Sequence, residues 1–398
     1  MSGSDKKVGV VGLTLFDLRR RGKVGKLSMV GEHLHKNITQ VYNSLSTSFT
    51  SFPSDTTARD PDAYKAAIDA LAPGSAITIF TPDPTHYPIA KYAIERGHHV
   101  MITKPATQLL SHHLDLLSLA RAKGVVVYVE HHKRFDPAYA DARHRARNTA
   151  KLGDFNYFYS YMSQPKAQLE TFKAWAGKDS DISYYLNSHH IDVCESMVGQ
   201  DWVPHSVTAA GSKGIAIALG CDERTEDTIT LLVQWRKARP TTLWEESQRA
   251  TGVYTASWTA PQKAGLHSQQ YFHYVASKGE IRVDQAKRGY EVTEDPSEID
   301  RGGLAWYNPF YMKYAPDERG DFAGQGGYGY VSFEKFVDAV QEVREGTATV
   351  ADIDARGLPT LANTIATAAM LEAGRRSLDE GGRSVEIVRS GENGWELR

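Results

Sequence analysis

At 398 residues, 41% hydrophobic and 24% charged, the chain has apolar material for more than one core and is too long for one ordinary domain, so two are expected. A formal net charge of −2 gives no electrostatic reason to expect nucleic acid or an anionic membrane as partner. Cys194 and Cys221 imply no disulfide framework, and with no long apolar stretch at the start or of membrane-spanning length, a cytoplasmic protein is expected.

Lys7 to Val11 reads as a first strand and Lys26 to Val30 as a second, with the basic run Arg19-Arg20-Arg21, Lys23 and Lys26 as a solvated face. Asp60-Pro61 opens a helix by the cap-then-proline rule, running through Ala67 and Leu71 to Pro73-Gly74. Ala76 to Phe80 is short, apolar and β-branched, hence a buried strand. A helix with Ile89, Ala93 and Ile94 on one face follows and stops at Gly97. Val100 and Ile102 form the next strand, which ends on Lys104-Pro105. Ser111 is placed to cap a helix carrying Leu114, Leu117 and Ala120 to Gly124, before the buried run Val125 to Val129. Strands and helices in this alternation predict an α/β, Rossmann-type doubly wound parallel sheet over residues 1–135.

From Asp136 the pattern changes. Thr228 to Val233, Tyr254 to Trp258, Gln270 to Val275 and Gly279 to Val283 are strand-like runs without long helices between them, which predicts an α+β domain over 136–398 with a mostly antiparallel, open-faced sheet. Two late helices are expected, Ser332 to Glu345 and Pro359 to about Leu378. The glycine-rich stretch Gly320 to Gly329 reads as a surface loop, or as an active-site or subunit-contact loop.

In an open parallel sheet ligands bind at the carboxyl ends of the strands, which places Lys104 at a ligand crevice. Gly12-Leu13-Thr14 stands where a dinucleotide fold turns from first strand to first helix and lets a pyrophosphate reach backbone N–H groups. Thr14 and Asp17 occupy the second and third glycine positions of that fingerprint, so an ordinary strand-turn-helix is the alternative. Glu32 lies where an acid would take the unphosphorylated ribose, or else starts a helix beside His33 and Lys36. NAD(H) and NADP(H) both stay open.

If Tyr184 to Asp192 is helical, Tyr185, His189 and Asp192 share a face. A histidine so placed can donate a proton to a carbonyl oxygen that a lysine polarises, although a hydrogen-bonded structural histidine is the alternative. Tyr159, Tyr161, Gln164, Lys166, Trp175 and Tyr184, with His267 on a later strand, would suit a hydroxylated ligand, while Tyr159 and Trp175 also read as sheet packing. Lys133, Arg134 and Lys166 would supply charge for a sugar-acid carboxylate, or Arg134 is tied to structural carboxylates. The histidine pairs 98/99, 112/113, 131/132 and 189/190 lack accompanying ligands at metal spacing, and no metal is expected.

The order TPDPTH, HVMITKP, HHKRFDPAY and SHHIDVCESMVG resembles the glucose-fructose oxidoreductase / inositol dehydrogenase / MocA family of nicotinamide-dependent sugar oxidoreductases, closely over the first two hundred residues. The resemblance implies an active site of Lys104 and His189. It places Thr81, Pro82 and His86, with Lys104-Pro105, beside the nicotinamide, and His132 and Lys133 at the border of cofactor and substrate. Thr103 replaces the family glutamate, and Tyr185 replaces the usual catalytic aspartate, so Tyr185 or Asn187 is expected to bind substrate, with Tyr185 also a catalytic candidate that takes the donor role if His189 does not. The texture of SDISYYLNSHHID and KAWAGK is similar to fungal D-galacturonate reductases of the family, which implies reduction of the D-galacturonate aldehyde to L-galactonate. The alternatives are a neutral sugar or polyol dehydrogenase and a non-catalytic, NAD(P)-binding regulator. A homo-oligomer formed through the second-domain sheet is expected. Lys104 and His189 are 85 positions apart, so only closure of the two domains around the ligands is expected to bring them together.

Overall fold

The computed structural model describes residues 10–31, 48–53, 60–262, 267–286, 291–294, 303–306, 310, 314–316, 318–319, 322–391 and 394–398. Lys7 to Gly9 and Glu32 lie outside these residues. Val10 and Val11 do not end a strand: they open helix α1, Val10–Arg20, so Gly12, Leu13 and Thr14 lie in its first turns. The reason is a helical period inside a run that looked strand-like. Val11, Leu15 and Leu18 face one apolar cluster, while Leu13 and Phe16 face another with Leu27 and Met29. A Cβ on Gly12 would come within 3.2 Å of Met29 Cε, so glycine here permits close packing.

Strands β1, Ser28–Val30, and β2, Thr50–Phe52, pair in parallel, and helix α2 spans Ala63–Asp69. Strand β3, Ala76–Ile79, helix α3, His86–Glu95, strand β4, His99–Thr103, helix α4, Leu110–Lys123, and strand β5, Val127–Glu130, make a parallel three-stranded sheet with crossover helices. Gly97 and Gly124 close their helices with φ of +74° and +64°, as the sequence predicts. Ser111 does not cap α4. Leu109 holds the cap position, and the Leu110 N–H donates to Glu372 Oε2 at 2.5 Å, a partner 262 residues away.

A 3-10 turn, His132–Phe135, leads to helices α5, Pro137–Ala146, and α6, Thr149–Leu152. Strand β6, Phe155–Pro165, helix α7, Gln168–Phe172, and helix α8, Ser188–Val198, follow. After them come β7, Trp202–Ser212, α9, Ile215–Ala218, β8, Thr228–Lys237, α10, Leu243–Ser247, β9, Arg249–Ala260, β10, Gln269–Ala276, and β11, Gly279–Asp284. Two hairpins join β12, Glu291–Glu294, to β13, Gly303–Trp306, and β14, Tyr314–Pro316, to β15, Phe322–Gln325. The chain ends with α11, Tyr328–Glu345, α12, Val350–Ala355, α13, Ile365–Asp379, β16, Val385–Ser390, and β17, Gly394–Leu397. The large sheet has the order β11-β10-β6-β9-β8-β7-β16-β17 and is antiparallel except where β6 runs beside β9. This is the α+β second unit the strand runs predict, with α8 and α13 covering one face.

Part of the glycine-rich stretch is strand β15 and the first turn of α11 rather than loop; Gly320 and Asp321 lie outside the described residues. The helix expected from Pro359 begins only at Ile365. Before it, Val129 N–H donates to Pro359 O at 2.7 Å and Leu361 N–H to Val127 O at 3.1 Å, so this segment pairs with β5. Contacts also run across 135/136. Helix α11 lays Phe333, Phe336 and Val337 on Leu18, Met101 and Tyr128, and Phe333 stacks on Phe80 at 5.6 Å. The basic run is part of this docking: Arg21 and Lys23 each reach Glu334 at 2.8 Å, and Lys23 also reaches Asp338 at 2.8 Å.

Buried histidines make this assembly pH-dependent. Val126 N–H donates to His99 Nδ1 at 3.0 Å, which requires that nitrogen unprotonated, and burial brings His99 and His113 down to about 4. As pH falls below about 6.5 the unfolded chain takes up protons that the folded chain refuses until about pH 4. Stability is therefore present above pH 6.5 and lost across that window, by up to about 3 kcal/mol per histidine at about 1.4 kcal/mol per pKa unit. Urea midpoints should fall between pH 7 and 4.5, and His99→Gln, which keeps an acceptor without the titration, should flatten that slope. An equal slope in His99→Gln would remove His99 as a cause.

Candidate active site

Strands β3, β4 and β5 end at one edge, delivering Thr81-Pro82, Lys104-Pro105 and His131-His132 in turn. Lys104 is 9% exposed. Its Nζ donates to the backbone carbonyl of Tyr185 and stands 4.3 Å from the centre of the Tyr185 ring. That carbonyl sits in a π-helical turn, Ser183–Asn187, immediately before α8. Asp181 secures the turn by accepting from the N–H of Ser183 (2.8 Å) and Tyr184 (2.9 Å), and Tyr184 Oη donates to Gln108 O at 3.0 Å. Gln164 Nε2 on β6 donates to Tyr185 Oη at 3.4 Å. Burial lowers the Lys104 ammonium to about 8, against the opposing pull of Asp83 and Glu130. Burial likewise raises the Tyr185 phenol.

His189 lies one turn beyond Tyr185, buried, with its ring 5.0 Å from that of His132. Burial, then the charges of Lys104 and Lys133 and the neighbouring His132 and His131, hold it well below the ordinary histidine range. His189 is thus a neutral imidazole, able to hydrogen-bond an oxygen but poorly placed to carry charge. Lys133, from the turn after β5, is buried and donates to Gln270 Oε1 and, at 2.9 Å, to Gln285 Oε1. Lys104, His132, Lys133, Gln164, Tyr185 and His189 thus come together.

Other expected site residues are placed differently. His86 is fully buried, its Nδ1 2.9 Å from Pro105 O and its Nε2 2.8 Å from Thr81 O, so it clasps two loops and presents no ring nitrogen to a ligand. Asn187 donates to Ser183 Oγ (3.1 Å) and Ile229 O (3.3 Å), tying the turn to β8. His267 is exposed and precedes β10, 3.5 Å from Gln168 Nε2, while Lys166 is half-buried beyond the end of β6. Arg134 reaches Asp192 through Nε (2.8 Å) and a terminal nitrogen (2.6 Å), and touches Gly357 O, Asn363 O and Glu195. Asp192 is turned to this guanidinium, the structural alternative for Arg134. Tyr159 meets Tyr271 Oη at 3.2 Å, and Trp175 packs on Phe172, Tyr185 and Trp258, both as packing residues.

Two acids not singled out in the sequence stand at this edge. Glu130 closes β5 and meets His132 Nδ1 at 2.8 Å through Oε2, and Asp83 accepts from Ser180 Oγ at 2.5 Å. An acid ending an apolar strand at the ligand edge was the available signal for Glu130. Among the described residues, Glu130 Oε1, Gln164 Oε1 and His189 Nδ1 are buried without a hydrogen-bond partner, which suits a ligand rich in hydroxyls or amides. Thr81 and Pro82 are exposed at the same edge and fit a nicotinamide lying against it. Among the described residues no three metal-ligating side chains gather, and no helix is long and apolar enough to cross a membrane.

Removing one partner of a buried ion pair leaves the other charge uncompensated, at roughly 3–5 kcal/mol. Arg134→Ala should therefore lower the unfolding free energy by about that amount in urea titrations, with ligand affinity measured on the folded fraction little changed. A stable Arg134→Ala protein with impaired ligand affinity would return Arg134 to the substrate.

Residues 6–131 match the model of the GFO_IDH_MocA oxidoreductase family, described as its NAD-binding Rossmann fold. The uncharacterized oxidoreductase YdgJ of Escherichia coli K12 is 34% identical over 133 residues, 33% of this chain and 37% of the relative. The scyllo-inositol 2-dehydrogenase (NAD(+)) of Bacillus subtilis 168 is 31% identical over 134 residues, 31% of this chain and 38% of the relative. The matched span is thus under two fifths of the length of these curated relatives. Among solved structures, GenD2 from gentamicin A biosynthesis, in complex with NAD, superposes with a TM-score of 0.66 at 20% identity, covering 96% of this chain and 95% of GenD2. An inositol dehydrogenase homologue from Azotobacter vinelandii, complexed with NADH and myo-inositol, gives 0.61 at 16% identity over 92% and 98% of the two chains. Residues 6–131 are thus similar to the NAD-binding Rossmann fold of the GFO_IDH_MocA oxidoreductase family, and along nearly its whole length the chain shares the fold of solved proteins such as GenD2.

Proposed function

We propose that the protein is an NAD(P)(H)-dependent oxidoreductase interconverting a hydroxyl and a carbonyl on a sugar, polyol or sugar acid. The observation that carries this reading is a buried lysine, held near pKa 8 at the ligand edge of the nucleotide domain beside a neutral histidine from the second unit. The nicotinamide, when bound, supplies or accepts the hydride. The residues that would hold the cofactor are Gly12 and Leu13 near the start of α1, Thr81, Pro82, Lys104-Pro105 and His132, whereas Thr14 is buried with its hydroxyl donated to Val10 O. Lys104 Nζ delivers a proton to the substrate oxygen in reduction and takes it back in oxidation. His189, neutral, hydrogen-bonds the same oxygen, and Tyr185 keeps Lys104 out of water and aimed. The relative named as a scyllo-inositol dehydrogenase and the fold neighbour bound to myo-inositol support a polyhydroxylated substrate.

Within that class a uronic acid, D-galacturonate reduced at its aldehyde to L-galactonate, is the substrate we favour. Two ammonium groups, Lys104 and Lys133, bear on one imidazole, and a carboxylate would offset them. The exposed sheet face around Leu232, Tyr159 and Tyr161 would pair with a second copy of the chain.

The test is a screen of uronic acids, neutral sugars and inositols with NADH and NADPH, and the reverse oxidations, in wild type and Lys104→Ala. Lys104→Ala should lose about a hundredfold or more in kcat while still binding cofactor by calorimetry. Reduction should slow above about pH 8 and oxidation should quicken through the same value, because one needs the ammonium and the other the amine. Near-normal turnover in Lys104→Ala would overturn the mechanism. Preference for inositols over uronic acids would replace the substrate, and cofactor binding without turnover of any of them would favour a regulator.

A further inference from the structure

Lys104 is held by a backbone carbonyl, and a backbone carbonyl points where its turn makes it point. Three successive N–H groups of that turn are met by one residue. Asp181 Oδ1 accepts from Ser183 (2.8 Å) and Tyr184 (2.9 Å), and the Asp181 carbonyl accepts from the Tyr185 N–H at 3.0 Å. The other carboxylate oxygen, Oδ2, accepts from Arg375 Nη1 of α13 at 3.2 Å, a partner 194 residues away. Arg375 also reaches Glu226 Oε1 at 3.3 Å and Asp379 at the end of its own helix. The side chains of Asp181 and Glu226 are 7% and 3% exposed, that of Asp379 60%.

Resting on the oxidoreductase reading above, we propose that Arg375, acting through Asp181, is a positioning residue for the reaction: it keeps the π-helical turn in the form that presents the Tyr185 carbonyl and ring to Lys104. The reason is electrostatic. Asp181 and Glu226 are two buried carboxylates that repel each other, and burial by itself opposes charge on Asp181. Arg375 is the cation both of them share. With it, Asp181 stays an acceptor strong enough for two N–H groups. Without it, a buried carboxylate takes up a proton or turns toward water, and the N–H groups of Ser183 and Tyr184 lose their partner.

The same helix reaches the segment that follows Lys104. Glu372, three residues before Arg375 and on the same face of α13, accepts from the Leu110 N–H at 2.5 Å and is held in turn by Arg376 at 2.6 Å. Glu226 adds a route to the Tyr185 ring: its carbonyl accepts from Trp258 Nε1 at 2.7 Å, Trp258 packs on Trp175 at 5.9 Å, and Trp175 on Tyr185 at 5.6 Å. Helix α13 thus grips both segments that meet at the Lys104–Tyr185 contact. An ion pair that only stabilises the fold would leave the surroundings of the lysine as they are. A positioning one would not, because a turn that relaxes admits water to Nζ. Burial is the largest influence on Lys104, with Asp83 and Glu130 opposing it and His131 and His189 also in its field, so that water raises its pKa.

The experiment reads Lys104 directly, by NMR titration of its Cε resonance in the full, cofactor-free chain carrying isotope-labelled lysine, the signal being assigned by its loss in Lys104→Ala. Arg375→Gln should move the Lys104 midpoint up from about 8 by about one pH unit or more, toward the ordinary lysine value of about 10.4, and should lower kcat about tenfold or more with KM little changed. Arg375→Lys, which restores a charge without the planar fork, should recover part of both. Asp379→Asn, which removes the exposed partner of the same guanidinium, should leave Lys104 titrating as in wild type. Asp181→Ala serves as the second variant if Arg375→Gln does not fold: Arg375 keeps Glu226 and Asp379 there, and the same upward movement is expected. A Lys104 midpoint unchanged or lowered in whichever variant folds, or an equal rise in Asp379→Asn, overturns the positioning role while leaving the oxidoreductase reading intact. If wild type turns over none of the substrates screened, that reading fails by itself, and the Lys104 titration still decides the positioning role.

Discussion

An ammonium group shut away from water has to be met by oxygen or by a π face, and Lys104 is met by both from a single residue. The Tyr185 carbonyl accepts its proton and the Tyr185 ring lies beneath its charge. The carbonyl can do this because the chain forms a π-helical turn just there, and a widened turn leaves carbonyls outside the regular helical ladder. The aim of Nζ and the position of His189 one turn on therefore share one backbone feature. Substitution at 185 can remove the ring, but it cannot remove the oxygen.

The same helix separates two kinds of charge. On one side Lys104 and Lys133 bear on the neutral His189, with Asp83 and Glu130 pulling on Lys104. On the other, Arg134 and Asp192 are buried beside the half-buried Glu195, whose carboxyl desolvation raises to about 7. Burying such ions is costly, and apolar replacements are often no less stable. What the guanidinium adds is reach: a planar fork of five donors joins the turn after β5, helix α8 and the carbonyls of Gly357 and Asn363. Three segments distant in sequence are thereby fixed beside the reacting groups.

Much of this was legible in the residues. Short β-branched runs alternating with helices stopped by Gly97 and Gly124 predict β3 to β5 and the strand-end position of Lys104, because periodicity and left-handed glycine caps are local properties. The pairing of Tyr185 with His189 followed from helical spacing, although the turn between them is wider than α. What stayed hidden depended on partners far along the chain. Val10 and Val11 looked like strand residues until Val11, Leu15 and Leu18 found α11. For Arg134 the residues left a substrate carboxylate and a structural one both open, and its partner is the chain's own Asp192. The docking of α11 on the nucleotide domain, through Glu334 and Asp338 with the basic run, left no local mark at all.

Closure around ligands is not what brings Lys104 and His189 together. The segment leading into α8 is fastened to the nucleotide domain by the chain's own bonds, Ser180 Oγ to Asp83 (2.5 Å), Gln108 Nε2 to Asp179 O (2.7 Å) and Tyr184 Oη to Gln108 O (3.0 Å). Each of these bonds crosses from residues 179–184 to residues 83 or 108, on either side of Lys104 in sequence. The convergence of lysine and histidine is therefore part of the folded state, and its ordering cost belongs to folding rather than to catalysis. Whatever moves when ligands bind must leave this clasp intact, which restricts motion to elements beyond it.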